Sequence, residues 1–346
     1  MRRLFNLRHC GRSFSTVRKS WTTAEISDVF HTPLLDLLFR SATVHRKNFD
    51  PQEVQKCTLL SVKTGGCSED CAYCPQSARY KNSPVKADRL MTVEAVLAAA
   101  QKAYASGSTR FCMGAAWREI HGKYGFKQIL KMVRAIRALN LEVCCTLGMI
   151  NDEQAAQLKD AGLTAYNHNL DSSRRFYKTI ITTRSYDDRL STLESVRNAG
   201  ISVCCGGIIG MGETAEDRIE LIRTLSSLPE HPESVPINAL VPSKGTPMEN
   251  QPLIPVWEII QMISTARICM PKSMVRLSAG RIRLSVAEQA LCFLAGANSI
   301  FTGDRLLTTP NPSFDSDMEM FELLGLKGKA PNFDQGSKVA SMSQSS

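Results

Sequence analysis

The run Cys67-Ser68-Glu69-Asp70-Cys71-Ala72-Tyr73-Cys74 sets three cysteines at Cys-x3-Cys-x2-Cys spacing within eight residues. Three thiolates so close on one loop suit a 4Fe-4S cluster: each binds one iron, and the fourth iron is left without a protein ligand. An open iron can bind a substrate. Zinc is the competing occupant, but zinc sites commonly pair such cysteines with a second, distant pair, and no matching pair is found in this chain. Simple packing of unliganded thiols is the other alternative.

The remaining cysteines are Cys10, Cys57, Cys112, Cys144, Cys145, Cys204, Cys205, Cys269 and Cys292. Whether they form disulfides depends on the compartment. Residues 1–20 carry Arg2, Arg3, Arg8, Arg12, Arg18 and Lys19, no acidic residue, and interleaved Leu4, Phe5, Leu7 and Phe14. That pattern matches a mitochondrial transit peptide leading to the matrix, where thiols stay reduced; a solvated basic tail or an RNA-binding arm is the alternative. Arg12-Ser13-Phe14-Ser15 looks like a processing site, with cleavage after Phe14. These six residues supply most of the formal charge of +9, and the rest of the chain is close to neutral, so a nucleic-acid partner is not expected. No apolar run reaches the roughly 18 residues of a membrane span, so none is expected either.

Such thiols need a scaffold. From about residue 57, β-rich runs alternate with longer amphipathic stretches, the pattern of parallel strands joined by crossover helices. The runs are 58–63, 109–115, 141–147, 165–170, 201–209, 235–241, 274–279 and 299–302. Eight runs with seven intervening helices predict an α/β fold, a (β/α)8 TIM-type barrel over residues 57–326. An open doubly wound sheet is the runner-up, and polar strand interiors favour the barrel. Thr92, Asn151 and Thr214 are expected to cap the helices that follow them. Gly107, Gly162 and Gly200 fit the left-handed position that ends a helix. Residues 21–56 read as an N-terminal helical extension and 327–346 as a disordered tail. In a barrel, the loop holding Cys67 to Cys74 opens onto the catalytic face.

Side chains alternate across a strand, so the apolar set that packs on helices identifies the inward set. Phe111 and Met113 point out, which turns Arg110 and Cys112 inward; Val143 and Cys145 point out and Cys144 in; Val203 and Cys205 point out and Cys204 in. Val275 and Leu277 likewise turn Arg276 and Ser278 inward. Free cysteine is often buried without a role, yet three inward thiols with an arginine could ligate a second cluster, which would offset the buried cation. By the same parity Asn167, Asn169, Asp171 and Asn238 face inward, and polar groups there need a ligand or a network.

The Cys67 run, with Tyr73 before its last cysteine, resembles the cluster motif of the radical S-adenosylmethionine superfamily. Residues 65–80 and 107–117, Tyr166 to Asp171, Ser234-Val235-Pro236-Ile237-Asn238, Val275 to Arg281 and Thr308-Thr309-Pro310-Asn311-Pro312 narrow the resemblance to the biotin synthase family, from about Pro33 to Pro312. The chain departs from bacterial relatives at the less polar Ile282-Arg283-Leu284.

The resemblance implies that the open iron chelates S-adenosylmethionine, whose reductive cleavage releases a 5'-deoxyadenosyl radical. It assigns Tyr73, Ala115, Asn169, Asp171, Ile208 and Val241 to cofactor contacts, and Asn169, Asn238, Thr308 and Thr309 to the substrate, dethiobiotin. It makes Cys112, Cys144, Cys204 and Arg276 the ligands of a 2Fe-2S cluster that donates sulfur, two S-adenosylmethionine molecules being used per biotin. Implied partners are a ferredoxin-type electron donor, iron-sulfur cluster assembly proteins and a second copy in a homodimer. A lipoyl synthase-like sulfurtransferase is one rival; that family carries a Cys-x4-Cys-x5-Cys run near its N-terminus, and none is present here. A non-enzymatic zinc or electron-transfer protein on a barrel is the other.

Overall fold

The structure, a computed structural model, describes residues 17–120 and 122–333. Cys10 and the expected processing site after Phe14 lie outside the described residues, as do 334–346 of the expected tail.

Two helices, α1 (Thr23–Phe30) and α2 (Leu34–Asn48), precede the first strand. The barrel strands follow as β1 (Glu53–Lys63), β2 (Arg110–Ala115), β3 (Glu142–Thr146), β4 (Ala165–Asn167), β5 (Ser202–Cys204), β6 (Gly207–Ile209), β7 (Ser234–Ala239), β8 (Met274–Leu277) and β9 (Ser299–Phe301). All are parallel to their neighbours. β1 pairs with β2 on one side and β9 on the other, which closes the sheet and removes the open doubly wound alternative. β5 and β6 together form one strand position, so the barrel is eight-stranded, as expected.

The expected run 201–209 is broken at Cys205-Gly206. A Cβ on Gly206 would lie 2.0 Å from the Pro236 carbonyl oxygen, and the Gly206 N–H donates to the Asn169 side chain at 3.1 Å instead of to a neighbouring strand. Alternation alone does not reveal such a substitution.

The crossovers are α3 (Val93–Ala105), α4 (Lys123–Arg137), α5 (Asp152–Asp160), the pair α6 (Arg174–Ile180) and α7 (Tyr186–Asn198), α8 (Ala215–Ser226), α9 (Val256–Cys269) and α10 (Val286–Leu294). Thr92, Asn151 and Thr214 each accept a backbone hydrogen bond as N-caps. Gly107, Gly162 and Gly200 all have positive φ just beyond their helices. α1 packs on α8 and α9, and α2 on α9; the Trp21 indole donates to the Cys269 carbonyl at 3.2 Å, tying the extension to the barrel wall.

Two boundaries differ from expectation. β1 begins at Glu53, so residues 53–56 belong to the barrel and not to the helical extension ending at 56. The charged Glu53 and Lys56 disguise a strand that pairs with Ser299 and Ile300 from Gln55 and Lys56. After α11 (Phe314–Leu324), the expected disordered tail instead starts with a short strand, Lys327–Gly328, parallel to Glu53 and Val54 of β1. Lys329 then binds Glu53 at 2.9 Å, the Asn332 N–H reaches the buried Glu142 carboxylate at 2.7 Å, and Arg137 stacks on Phe333. This segment, 327–333, satisfies an open edge and a buried acid, needs its composition does not disclose.

The core divides as parity requires. Phe111, Met113, Val143, Cys145, Val203 and Cys205 pack with the helices in the outer layer. Inside the barrel is a separate small cluster of Cys57, Cys112, Cys144, Ala165, Cys204, Phe301 and Leu306.

Candidate active site inside the barrel

The loop after β1 is shaped by its backbone. Gly65 has φ 64, and a Cβ there would meet the Lys86 carbonyl oxygen at 2.4 Å, so only glycine fits the turn into Cys67. Cys67 and Gln76 pair through the backbone at 3.0 Å, and Cys74 N–H donates to Cys71 O at 2.9 Å, folding the three thiols toward one another. Asp70 fastens the loop to the segment between α6 and α7, accepting from the Thr182 and Thr183 backbone at 2.9 and 3.2 Å. Burial pushes the Cys71 thiol up to about 12, the Cys74 thiol up to about 11, and Cys67 upward as well. Loading these thiols with iron therefore releases protons.

Deeper in the barrel, Cys112 and Cys144 are direct partners across β2 and β3, and Cys204 is the cross-strand partner of Asn167 on β4. Arg276 reaches Cys204 Sγ at 3.8 Å with Nη1 and Cys57 Sγ at 3.4 Å with Nη2. The thiols of Cys57, Cys112, Cys144 and Cys204 interact in succession, and Arg276 closes the ring between the last and the first. All are buried, and the two arginines facing them, Arg110 and Arg276, are 2% and 1% exposed. Burial pushes the Cys57 thiol up, but the Cys112 thiol and the two guanidinium charges outweigh it and bring it to about 6. Arg110 is paired with Glu142 at 2.5 Å, which Gln55 also meets at 3.1 Å.

Between the two thiol sets lies one cavity of about 330 Å³. Cys67, Cys71 and Cys74 line its mouth, Cys112, Cys144 and Arg276 its floor, and Tyr73, Ala115, Asn169, Asp171, Ile208, Asn238, Val241, Thr308 and Thr309 its walls. Every candidate residue except Cys204 lines that space, and Cys204 meets it through Arg276 and through Asn167, whose amide donates to Cys204 Sγ at 3.2 Å. Asn169 and Asp171 lie beyond the end of β4, so their inward placement comes from the loop and not from strand parity. Asp171, at φ 66, accepts from Tyr73 at 2.8 Å and pairs with Arg189 at 2.6 Å. Asn238 is satisfied by Gly207 O at 3.0 Å and Ala279 N–H at 3.3 Å.

A hairpin of β10 (Arg305–Leu306) and β11 (Thr309–Pro310) folds over the cavity. Its Leu307 lies where a Cβ on Gly114 would be 2.5 Å away, so the glycine makes room for this lid.

The donor sets fit iron-sulfur clusters: three thiols on one loop can each bind one iron of a 4Fe-4S cluster, and three interior thiols with Arg276 supply four donors inside the barrel. Nε2 of His168, a buried residue beside the cavity, has no hydrogen-bond partner among the described residues.

Sequence reasoning missed Cys57, Gln55 and Ser299, which surround Arg276: the expected first strand, starting at 58, left out Cys57 and Gln55, and Ser299, within its expected run, carries nothing that marks it as a partner of Arg276. Extending the alternation of Leu59 and Ser61 by one step would have turned Cys57 inward. Arg189 and His168 were also missed; Arg189 lies on a helix, where nothing local marks it as facing the cavity.

A model of the Radical SAM superfamily matches residues 61–225, and one of the Biotin and Thiamin Synthesis associated domain matches 236–327. The chain is 64% identical to a mitochondrial biotin synthase of Arabidopsis thaliana over 92% of this chain and 84% of that protein. It is 62% identical to a biotin synthase of Cytophaga hutchinsonii (90% and 92% covered) and 54% identical to one of Schizosaccharomyces pombe (94% and 90%). Among solved structures, methylornithine synthase superposes with a TM-score of 0.75 at 18% identity, covering 93% of this chain and 96% of that one. The FeFe-hydrogenase maturase of Carboxydothermus hydrogenoformans gives 0.76 at 15% identity, covering 89% and 76%; both likenesses concern the fold.

Proposed function

This chain belongs to the biotin synthase family of radical S-adenosylmethionine enzymes, and on that premise we propose how its residues divide the work of inserting sulfur into dethiobiotin. It is an enzyme of biotin formation whose cofactors are S-adenosylmethionine, a 4Fe-4S cluster and a 2Fe-2S cluster. When bound, these supply an electron, a radical able to take hydrogen from an unactivated carbon, and the sulfur atom.

Cys67, Cys71 and Cys74 hold the first cluster at the mouth, and Cys112, Cys144, Cys204 and Arg276 hold the second at the floor. Tyr73, Ala115, Asn169, Asp171, Ile208 and Val241 seat S-adenosylmethionine between them. Arg189 and Tyr73 fix the Asp171 carboxylate so that its remaining lone pairs can accept from ribose hydroxyls. Asn169, Asn238, Thr308 and Thr309 orient the substrate, and Phe301, Leu306 and Leu307 keep water from it. The observation that carries this reading is the single cavity touched by both thiol sets, which lets one substrate molecule face both in turn.

The basic, acid-free N-terminus supports import into the mitochondrial matrix, with residues 1–20 as the targeting segment. A ferredoxin-type donor, the cluster assembly proteins and a homodimeric state complete the reading. An anaerobic assay with dethiobiotin, reductant and S-adenosylmethionine tests it. Biotin and 5'-deoxyadenosine should appear together, and 5'-deoxyadenosine without biotin would refute the substrate.

A further inference from the structure

We infer that Cys57 is a positioning residue of the interior site: its sulfur, with the Gln55 amide oxygen, holds one arm of the Arg276 guanidinium so that the other arm faces Cys204. The inference rests on the reading of Arg276 as a ligand of the interior cluster.

Five groups, Cys57, Cys112, Cys144, Cys204 and Arg276, surround a site where a 2Fe-2S cluster takes four protein ligands. Register decides which one stands back. Cys112 is level with Leu59 on β1 and with Cys144 on β3, whereas Cys57 is level with Arg110, two residues deeper. Gln55 and Ser299 pair with each other one step deeper again, and Cys57 Sγ meets both, at 3.6 and 3.8 Å, behind the arginine. Nη2 of Arg276 meets Cys57 Sγ and Gln55 Oε1, both at 3.4 Å, while Nε meets Ser299 Oγ at 2.9 Å.

A guanidinium is planar, so holding Nε and Nη2 leaves Nη1 a single direction. That direction is Cys204 Sγ, 3.8 Å away. Phe301 covers one face of the plane at 4.6 Å from its ring centre. The neighbours holding Arg276 from behind are a sulfur, an amide oxygen and a hydroxyl.

The full chain, labelled with 15N-arginine and reconstituted anaerobically with iron and sulfide, provides the test. Iron content of the unmodified protein comes first. A chain that holds one 4Fe-4S cluster and no further iron would overturn both the ligand reading and this inference before any variant is made. Given the second cluster, pulsed EPR of its reduced form should show coupling to the arginine nitrogen.

Cys57→Ala should weaken that coupling and speed loss of the interior irons to a chelator by about tenfold, the scale of an outer-shell contact, with the other cluster unchanged. Cys57→Ser, whose oxygen accepts the same hydrogen bond, should restore both. Ser299→Ala, which frees Nε, should reproduce the weakening even if Cys57→Ala fails to fold. Coupling and chelator rates in Cys57→Ala equal to the unmodified protein would overturn the inference. So would loss of the interior cluster in Cys57→Ser, since Cys57 would then itself be a ligand.

Discussion

The thiols at the mouth of the barrel are neighbours in sequence, whereas those on its floor come from β1, β2, β3 and β5, up to 147 residues apart. The mouth loop takes its shape from glycines, backbone pairs and two carboxylates, Asp70 and Glu69. The floor takes its shape from strand register, and its thiols are part of the core. A loop of the first kind can be emptied of iron with little effect on the rest of the fold. Emptying the floor leaves Arg276 buried against protein sulfurs alone, so cofactor and core stability are linked there and separable at the mouth.

The sharpest way to break this comparison is to remove a thiol from each set. Cys67→Ala, Cys71→Ala or Cys74→Ala should abolish 5'-deoxyadenosine and biotin together, with the circular dichroism of the barrel unchanged. Normal reductive cleavage in any of the three would sink the assignment of the mouth. Cys144→Ala or Cys204→Ala should lose only biotin, and the 2Fe-2S absorbance with it, while 5'-deoxyadenosine still forms.

Stability separates the regions next. Arg110→Met strands Glu142 in the floor without its cation and should cost about 3–5 kcal/mol by denaturant midpoint, as expected for breaking a buried pair. The smallest effect is expected one residue along each strand. Cys145→Ala and Cys205→Ala, on the outer layer, should cost on the order of 1 kcal/mol and leave both clusters in place. If these two lose the interior cluster while Cys144→Ala and Cys204→Ala keep it, the inward and outward assignments are reversed.

The mouth was legible because its chemistry is written in consecutive residues. The floor was legible wherever a strand carried an apolar marker, as Val143 does for Cys144 and Val203 for Cys204. It was illegible at Cys57, because Glu53 and Lys56 hide the start of β1 among polar residues. The break at Gly206 and the docking of residues 327–333 were hidden for a related reason. Each depends on a partner far away in the chain, Pro236 in one case and β1 with Glu142 in the other. Local pattern reports what a residue prefers, not which distant group is waiting for it.

The closure of β1 by β9 and by the strand at Lys327 also sets a timetable. On a ribosome adding roughly 5–20 residues each second, Gln55 emerges on the order of 10–50 s before Ser299, its partner across the seam. Throughout that interval one edge of β1 has no native strand beside it, and an unpaired edge is a template for wrong neighbours. The chain therefore stays incomplete until almost all of it has been made, which prolongs the stage at which it needs shielding by chaperones but also keeps it threadable through a narrow pore.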